Sequence, residues 1–285
     1  EQHKLTFGPD PASHSRCTIG GMVGNNSCGV HSIMAGKTDS NIEELEVLTN
    51  DGIRLRVGAT DERQLDAVIH EGGRRAKIYS GLKAIRDHYG DLIRQKFPNI
   101  PRRVSGYNLN FLLPENGFHV ARSLVGSEGT CVTVLEVTCR LVESPQARVL
   151  LAIGCRDVFE AADMVPEVLS HGPIGLEGMD GLLIDFTRRK NMNPEGLVLL
   201  PEGGGWLLAE FGADSIPVAE SQARCLIDSL GRRASCRLLS DRSQARRVWD
   251  IRESALGAVS RVPGEPPTWE GWEDAAVAPE KLGGY

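Results

Sequence analysis

Beyond Pro145 the apolar residues switch repeatedly between strand-like and helix-like spacing, and this alternation constrains the fold more than any other feature of the chain. Residues 148–155 read as a strand, 157–171 as a helix and 174–178 as a strand followed by a short helical stretch. Residues 206–212 then read as a strand, 215–231 as a helix, 235–240 as a strand and 241–259 as a helix. With the short stretch set aside, the order is βαββαβ plus a helix. That is the split-βαβ, ferredoxin-like arrangement, with helices on one face of an antiparallel sheet. The expected class is therefore α+β.

Before Pro145 the pattern is different. Residues 44–49 and 53–57 flank Asn50-Asp51-Gly52, a turn sequence whose glycine permits positive φ, so a hairpin is expected. Asp61 is a plausible N-cap before Leu65, Val68 and Ile69, and Ile78, Leu82, Ile85, Tyr89 and Leu92 carry the helical spacing on until Pro98 and Pro101. Along 130–143 the alternation slips between Val134 and Leu135, the mark of a bulged strand. The pattern restarts after Pro145, which divides the 285 residues into 1–145 and 146–285.

Charge excludes one class of partner. There are 38 acidic and 32 basic side chains, a formal net charge of −6, and the arginine pairs are scattered among acidic neighbours, so no footprint for nucleic acid is formed. No apolar run approaches the roughly 18 residues of a membrane span, and no signal-peptide pattern opens the chain. Seven cysteines, odd in number and without repeated spacing, fit reduced thiols, and the expectation is a cytoplasmic protein. Because Glu1 rather than Met stands first and runs into a loop-like stretch, a fragment of something longer is expected.

The densest chemical signal is Pro9-Asp10-Pro11, Ser13, Ser15, then Cys17-Thr18-Ile19-Gly20-Gly21-Met22-Val23-Gly24-Asn25-Asn26-Ser27-Cys28-Gly29, and Gly36. Such glycine density lets backbone N–H groups approach an anion, with Thr, Asn and Ser as further donors, which suggests phosphate or pyrophosphate; a purely structural glycine-rich turn is the alternative. Neither common phosphate motif is present. A Walker A loop ending in Gly36-Lys37-Thr38 would need glycine where His31 stands, and G-x-G-x-x-G is absent from this stretch. His14-x2-Cys17 and Cys28-x2-His31 have zinc-like spacing, but the loop between them has nothing to fix ligand geometry, so buried packing cysteines and no metal are expected. Glu202-Gly203-Gly204-Gly205-Trp206 reads as a tight turn before a strand, with Trp206 in the core.

Taken with its surroundings, the loop resembles the second half of the flavin domain in FAD-linked oxidases of the vanillyl-alcohol oxidase (PCMH-type) fold. Ser105-Gly106-Tyr107-Asn108-Leu109 and Gly126-Ser127-Glu128-Gly129-Thr130 resemble that family's TGYDL and GSEGT signatures. The resemblance covers nearly the whole chain and is strongest to the large bacterial D-2-hydroxyacid dehydrogenases, similar to D-2-hydroxyglutarate and D-lactate dehydrogenases. It implies FAD as cofactor, with Pro9, Asp10, Ser15, Thr18, Gly20, Gly21, Gly24, Asn25, Asn26, Gly29, Gly36, Glu128, Gly129 and Val134 as the flavin-side residues. It also implies that 1–145 is the C-terminal portion of a PCMH-type FAD-binding domain and 146–285 an incomplete substrate or cap domain. The implied reaction is oxidation of a D-2-hydroxy acid, a small-molecule substrate, with the Cα hydride passing to the flavin. An iron–sulfur region lies downstream in such relatives, and the electron acceptor is left open.

Within the resemblance, Trp249-Asp250-Ile251-Arg252-Glu253 matches a W-x-x-R-E helix whose arginine meets the substrate carboxylate, making Arg252 the expected anchor. The plain reading of the residues alone is a surface arginine paired with Asp250 or Glu253. A placement of Arg252 on the same helical face as Ala245, Val248, Trp249 and Leu256 leaves it in need of a partner, which an incoming carboxylate supplies. Trp269-Glu270-Gly271-Trp272-Glu273-Asp274 resembles the segment leading into the family's EDxxVP strand. Departures are Cys131-Val132-Thr133 in place of Leu-Gly-Ile, no earlier PGG-type segment, and no histidine after His171, so the family's His-x-Gly-Asp-Gly-Asn-x-His base and metal-ligand segment does not occur. With half of the pyrophosphate cradle unaccounted for, weak flavin binding by this stretch alone is expected. A non-catalytic domain that kept the fold is the rival, and a flavin enzyme for sugar nucleotides or alcohols a further one.

Overall fold

In the computed structural model, which describes residues 3–266 and 276–285, Ile42–Thr49 and Arg54–Val57 form the hairpin expected around Asn50-Asp51-Gly52. Gly52 takes φ +84°, and the Thr49 N–H donates to the Ile53 carbonyl at 2.9 Å to close the turn. Val132–Cys139 pairs antiparallel on the other side of Ile42–Thr49. Val47 faces Val134 and Glu46 faces Glu136, so Leu135 is the extra residue of the expected bulge. Leu45, Val47 and Val57 point from this sheet into a core with Leu65, Val68, Tyr79, Leu112, Phe118 and Val120.

Asp61 caps Glu62–Glu71 in a capping box with Gln64. The helix expected to run on to Leu92 is broken at Gly72 and Gly73, whose φ values are +75° and +77°, and restarts as Gly73–Lys96. The break changes the phase of the buried face. Ala76, Tyr79, Arg86, Gly90 and Ile93 are buried, whereas Tyr89 and Leu92 of the expected stripe are exposed. Arg86 holds its place inside through Glu62 and Asp87 and through the Phe118 ring, 5.2 Å from its guanidinium carbon, a combination that apolar patterning does not register.

This first unit comprises Phe7–Gly29 and Ala35–Val142; the second comprises Glu143–Tyr285 with Val30–Met34 and the residues up to Thr6. In the second, four antiparallel strands lie in the order Gly175–Asp180, Gly205–Ala213, Ala147–Cys155, Ser235–Leu239. Counted along the unit that order is 2-3-1-4, the split-βαβ arrangement. Val149, Leu151 and Ile153 face the helices Val158–Ser170 and Ile216–Leu230 through Met164, Val168, Ala223 and Leu226.

The opposite face is also covered, and there the expectation of helices on one face alone is corrected. Leu150, Ala152 and Leu208 pack against Ile184, Val248, Ile251 and Ala258 from Gly181–Arg189, Arg242–Glu253 and Ala255–Val259. The run Val149-Leu150-Leu151-Ala152-Ile153 is apolar at both parities, as burial on two faces requires. The expected helix 241–259 is likewise two helices. Its break is at Ser254, whose hydroxyl donates to the Asp250 carbonyl at 2.7 Å and accepts from Asn193 Nδ2 at 2.6 Å. Among the described residues no helix is long and apolar enough to cross a membrane.

Candidate functional site

The glycine-rich loop folds as a short helix, Ile19–Asn25, with Thr18 as N-cap accepting the Gly21 N–H at 3.0 Å. The helix ends on Asn26 in the left-handed region at φ 55°. Asn26 is fully buried and both amide atoms are engaged by one residue: Nδ2 donates to Asp39 Oδ2 at 2.7 Å, and Oδ1 accepts the Asp39 N–H at 3.0 Å. Asn108 donates to the same Asp39 oxygen at 3.2 Å and to the Val125 carbonyl at 3.0 Å. Arg103 donates to Asn108 Oδ1 at 3.0 Å, and burial pulls its pKa down against the charge of Asp39.

Three separated segments are thereby gathered around Asp39. The Gly126 N–H donates to the Val23 carbonyl and the Glu128 N–H to the Gly24 carbonyl, each at 2.9 Å, and the Tyr107 hydroxyl meets Thr130 Oγ1 at 2.9 Å. A Cβ on Gly126 would lie 3.2 Å from that of Asn26, which accounts for the glycine. Asp39 itself escapes sequence reasoning. Reading Gly36-Lys37-Thr38 as a failed phosphate motif stops one residue short of it.

The expected flavin-side residues divide by exposure. Ser15, Thr18, Gly20, Gly21, Asn25, Glu128 and Gly129 are exposed, and Gly24 is half-buried. Pro9, Asn26 and Gly29 are buried supports. A Cβ on Gly29 would lie 1.7 Å from the Asp10 carbonyl oxygen, and Asp10, at φ +44°, pairs with His14 at 3.1 Å. Gly36 is a turn at φ +74°, and Val134 is half-buried in its strand opposite Val47.

Two glycines provide the test of whether a flavin fits here. Gly20 and Gly24 have ordinary helical φ, and a Cβ on either would meet no atom of the described residues within 4 Å, so neither backbone conformation nor packing among those residues requires glycine. Each weakens the helix by about 0.5–1 kcal/mol relative to alanine. Close approach of a ligand backbone is the remaining physical reason for them, and it suits the pyrophosphate of FAD.

His14, Cys17, Cys28 and His31 are not brought together as ligands. Cys17 donates to the His14 carbonyl, and His31 Nε2 lies 2.6 Å from Glu210 Oε2, with Arg148 Nη1 3.1 Å from the same oxygen. Among the described residues no cluster of three or more His, Cys, Asp or Glu could hold a metal. The pairing of His31 with Glu210 and Arg148 spans more than a hundred positions and carries no local sequence signal.

At the three glycines before Trp206 the structural reading holds over an anion loop, but the reason is close packing and not a hydrogen-bonded turn: a Cβ on Gly203, Gly204 or Gly205 would come within 2.8 Å of backbone atoms of Cys155, Arg156 or Asp157. Trp206 is buried and donates Nε1–H to the Pro201 carbonyl at 2.9 Å.

Arg252 is half-buried near the end of Arg242–Glu253, beside the buried Val248 and Ile251. Leu256 is exposed and belongs to the next helix, because the break at Ser254 turns the chain. The expectation that Arg252 lacks a protein partner is also corrected: its Nε lies 2.9 Å from Glu177 Oε1. Asp250 and Glu253 instead pair with Arg246, each at 2.8 Å. The 269–274 segment lies outside the described residues.

The comparisons with known proteins agree with this architecture. A family model described as FAD binding domain matches residues 1–58, and one described as FAD linked oxidases, C-terminal domain, matches residues 144–285. D-2-hydroxyglutarate dehydrogenase of Pseudomonas putida is 26% identical over 99% of this chain, which covers 29% of that protein. Glycolate oxidase subunit GlcD of Escherichia coli is 28% identical over 91% of this chain and 42% of its own length. D-lactate dehydrogenase of Anaerostipes hadrus is 23% identical over 75% of this chain and 35% of its own length. The chain thus spans well under half the length of these relatives.

The two matched domains, on an α+β fold, are those of the FAD-linked oxidases, a flavoprotein class whose cofactor is FAD. Within the class the chain resembles the D-2-hydroxyacid dehydrogenases.

Proposed function

We propose that the protein is a FAD-dependent dehydrogenase of a D-2-hydroxy acid, of the D-2-hydroxyglutarate or D-lactate class, acting in the cytoplasm. In this reading residues 1–145 belong to the PCMH-type FAD-binding domain and 146–285 to the substrate domain. The observation that carries it is the pair Gly20 and Gly24, glycines with open space above them on a helix pinned by Asp39. Thr18, Gly20, Gly21, Gly24, Glu128 and Gly129 are the residues that would hold FAD. Asn26 and Asp39 shape the cradle from beneath it. Reduced thiols at all seven cysteines suit the proposed compartment.

When bound, FAD supplies hydride acceptance. Arg252 takes the substrate carboxylate, because a planar guanidinium bonds both oxygens and thereby fixes the orientation of the adjacent Cα. The relatives named for D-2-hydroxyglutarate, glycolate and D-lactate share a 2-hydroxycarboxylate, the group such an anchor recognises. The test is an anaerobic mixing of the FAD-loaded full-length protein with D-2-hydroxyglutarate, D-lactate, glycolate and the two L-enantiomers. A D-2-hydroxy acid is expected to bleach the flavin absorbance and its L-form is not; no bleaching by any of the five overturns the proposal.

A further inference from the structure

We infer that Glu177 is a positioning residue for the carboxylate anchor: its ion pair confines the Arg252 guanidinium where the substrate carboxylate is to meet it. The inference rests on the reading of Arg252 as anchor and adds a second residue to it.

Backbone register brings the two together. Glu177 lies in the edge strand Gly175–Asp180, opposite Leu208 of the neighbouring strand and two residues before Met179, so Glu177 and Met179 share a face. Met179 belongs to the same buried cluster as Ile251, the residue preceding Arg252. Strand and helix thus line one core, and the Glu177–Arg252 ion pair joins them at its margin. Their side chains are 15% and 28% exposed, enough burial to favour a held geometry over a shifting surface pair.

The contact uses Nε, at 2.9 Å from Glu177 Oε1. The two residues are joined as an ion pair, and the nearest acids along the helix, Asp250 and Glu253, are both taken by Arg246. A guanidinium drawn to one half-buried carboxylate is confined in position, and its five N–H donors exceed what one carboxylate uses, so it can still bond a second. Without that hold the long side chain must be ordered each time a substrate binds.

Glu177 also carries a negative charge next to an anion site, and repulsion alone would make its removal tighten binding. Two substitutions separate holding from charge. Glu177→Ala removes both, whereas Glu177→Gln removes the charge and keeps an oxygen able to accept from the guanidinium. If Glu177 positions Arg252, the alanine variant binds carboxylate about tenfold more weakly and the glutamine variant stays within about threefold of the parent. If it acts by charge, both variants bind more tightly.

The experiment titrates oxalate, a carboxylate with no hydride to give, into the FAD-loaded full-length protein and its Glu177→Ala, Glu177→Gln and Arg252→Ala variants by calorimetry. KM and kcat for the D-2-hydroxy acid are measured in parallel. Glu177→Ala is expected to raise the oxalate Kd and KM together by about tenfold with kcat little changed, and Glu177→Gln to restore both. Combining Glu177→Ala with Arg252→Ala should add nothing to the loss from Arg252→Ala alone. Weakening by Arg252→Ala together with unchanged or tighter binding by Glu177→Ala overturns the role of Glu177 and leaves the anchor standing. Unchanged oxalate binding by Arg252→Ala overturns the anchor, and this inference with it. Should Glu177→Ala not fold, as read by circular dichroism, Glu177→Asp shortens the arm by one methylene, and an unchanged oxalate Kd in that variant overturns the inference equally.

Discussion

Replacing Gly20 and Gly24 by alanine should strengthen the fold and weaken the flavin site at once. In Ile19–Asn25 both positions have helical φ and open space where a Cβ would go, so alanine adds helix propensity without a clash. At about 0.5–1 kcal/mol for each helical glycine, and less for positions near the helix ends, the pair should stabilise the first unit by about 1 kcal/mol. That corresponds to a rise in Tm of roughly 3 °C for a unit of this size. The same two methyl groups would occupy the space assigned to the FAD pyrophosphate. Displacing a charged ligand from two hydrogen bonds forfeits about 3 kcal/mol, an increase in Kd of roughly a hundredfold. Thermal unfolding of the flavin-free full-length protein measures the first effect, and flavin fluorescence quenching measures the second. Gly21→Ala is the internal control, because its Cβ would lie 3.3 Å from the Thr18 Oγ1 that caps the helix and should yield no comparable stabilisation. A stabilised double variant that binds FAD as tightly as the parent would refute the reasoning, since the open space would then have no ligand in it.

Arg252→Lys keeps the charge and loses the fork, so KM for the D-2-hydroxy acid should rise by about 1 to 3 kcal/mol of lost binding, roughly 5- to 150-fold, measured by steady-state kinetics with a dye acceptor. Asp39→Ala leaves the buried amides of Asn26 and Asn108 without their shared acceptor and should destabilise the first unit by about 3–5 kcal/mol in urea titrations; a loss below 1 kcal/mol would show that the network does not hold the loop. Burial, with the Arg122 charge beside it, pushes His119 down to about 4 from an ordinary value of 6.5. Its neutral form is the folded form, so its contribution is complete above pH 6.5 and is lost as the pH falls toward 4, where the unfolded chain alone takes up the proton. His119→Asn retains an acceptor for the Arg122 N–H and should flatten that part of the stability profile, measured as unfolding free energy against pH; an unchanged slope would assign the acid sensitivity elsewhere.

Periodicity made the second unit legible because its strands and helices are short, well bounded and dominated by packing. The same reading missed the helices on the other sheet face, although the unbroken run Val149–Ile153 already requires burial on both sides. In the first unit the bulge at Leu135 was visible because a one-residue slip moves the apolar set across the sheet. The phase of Gly73–Lys96 was not, because two adjacent glycines reset it and an ion-paired arginine sits inside. For the site, motif residues marked the three segments that converge, but not the residue that joins them. Asp39 lies 13 positions from Asn26 and 69 from Asn108, and one carboxylate serving two distant amides leaves no spacing to recognise.

The pairing of Arg252 shows how local and long-range charge arrangements divide the side chains of one helix. A helix offers each arginine its neighbours at three and four positions, and on that rule Arg246 reaches Asp250, at 2.8 Å. Arg246 also extends to Glu253, so the two acids nearest Arg252 in sequence are neutralised from the exposed side of the helix. Arg252, turned toward the sheet beside Ile251, is left to a strand residue 75 positions earlier. Asp250 and Glu253 stand two positions before and one after Arg252, spacings that put them on other faces of the helix, so neither is placed to take its guanidinium even without Arg246. Arg246 thus serves the exposed acids and Glu177 serves Arg252, two sets that do not exchange partners. Arg246→Ala should therefore leave the oxalate Kd within about twofold of the parent in low salt and in 1 M salt alike, and a Kd raised about tenfold and restored by salt would refute this separation of the two ion-pair sets.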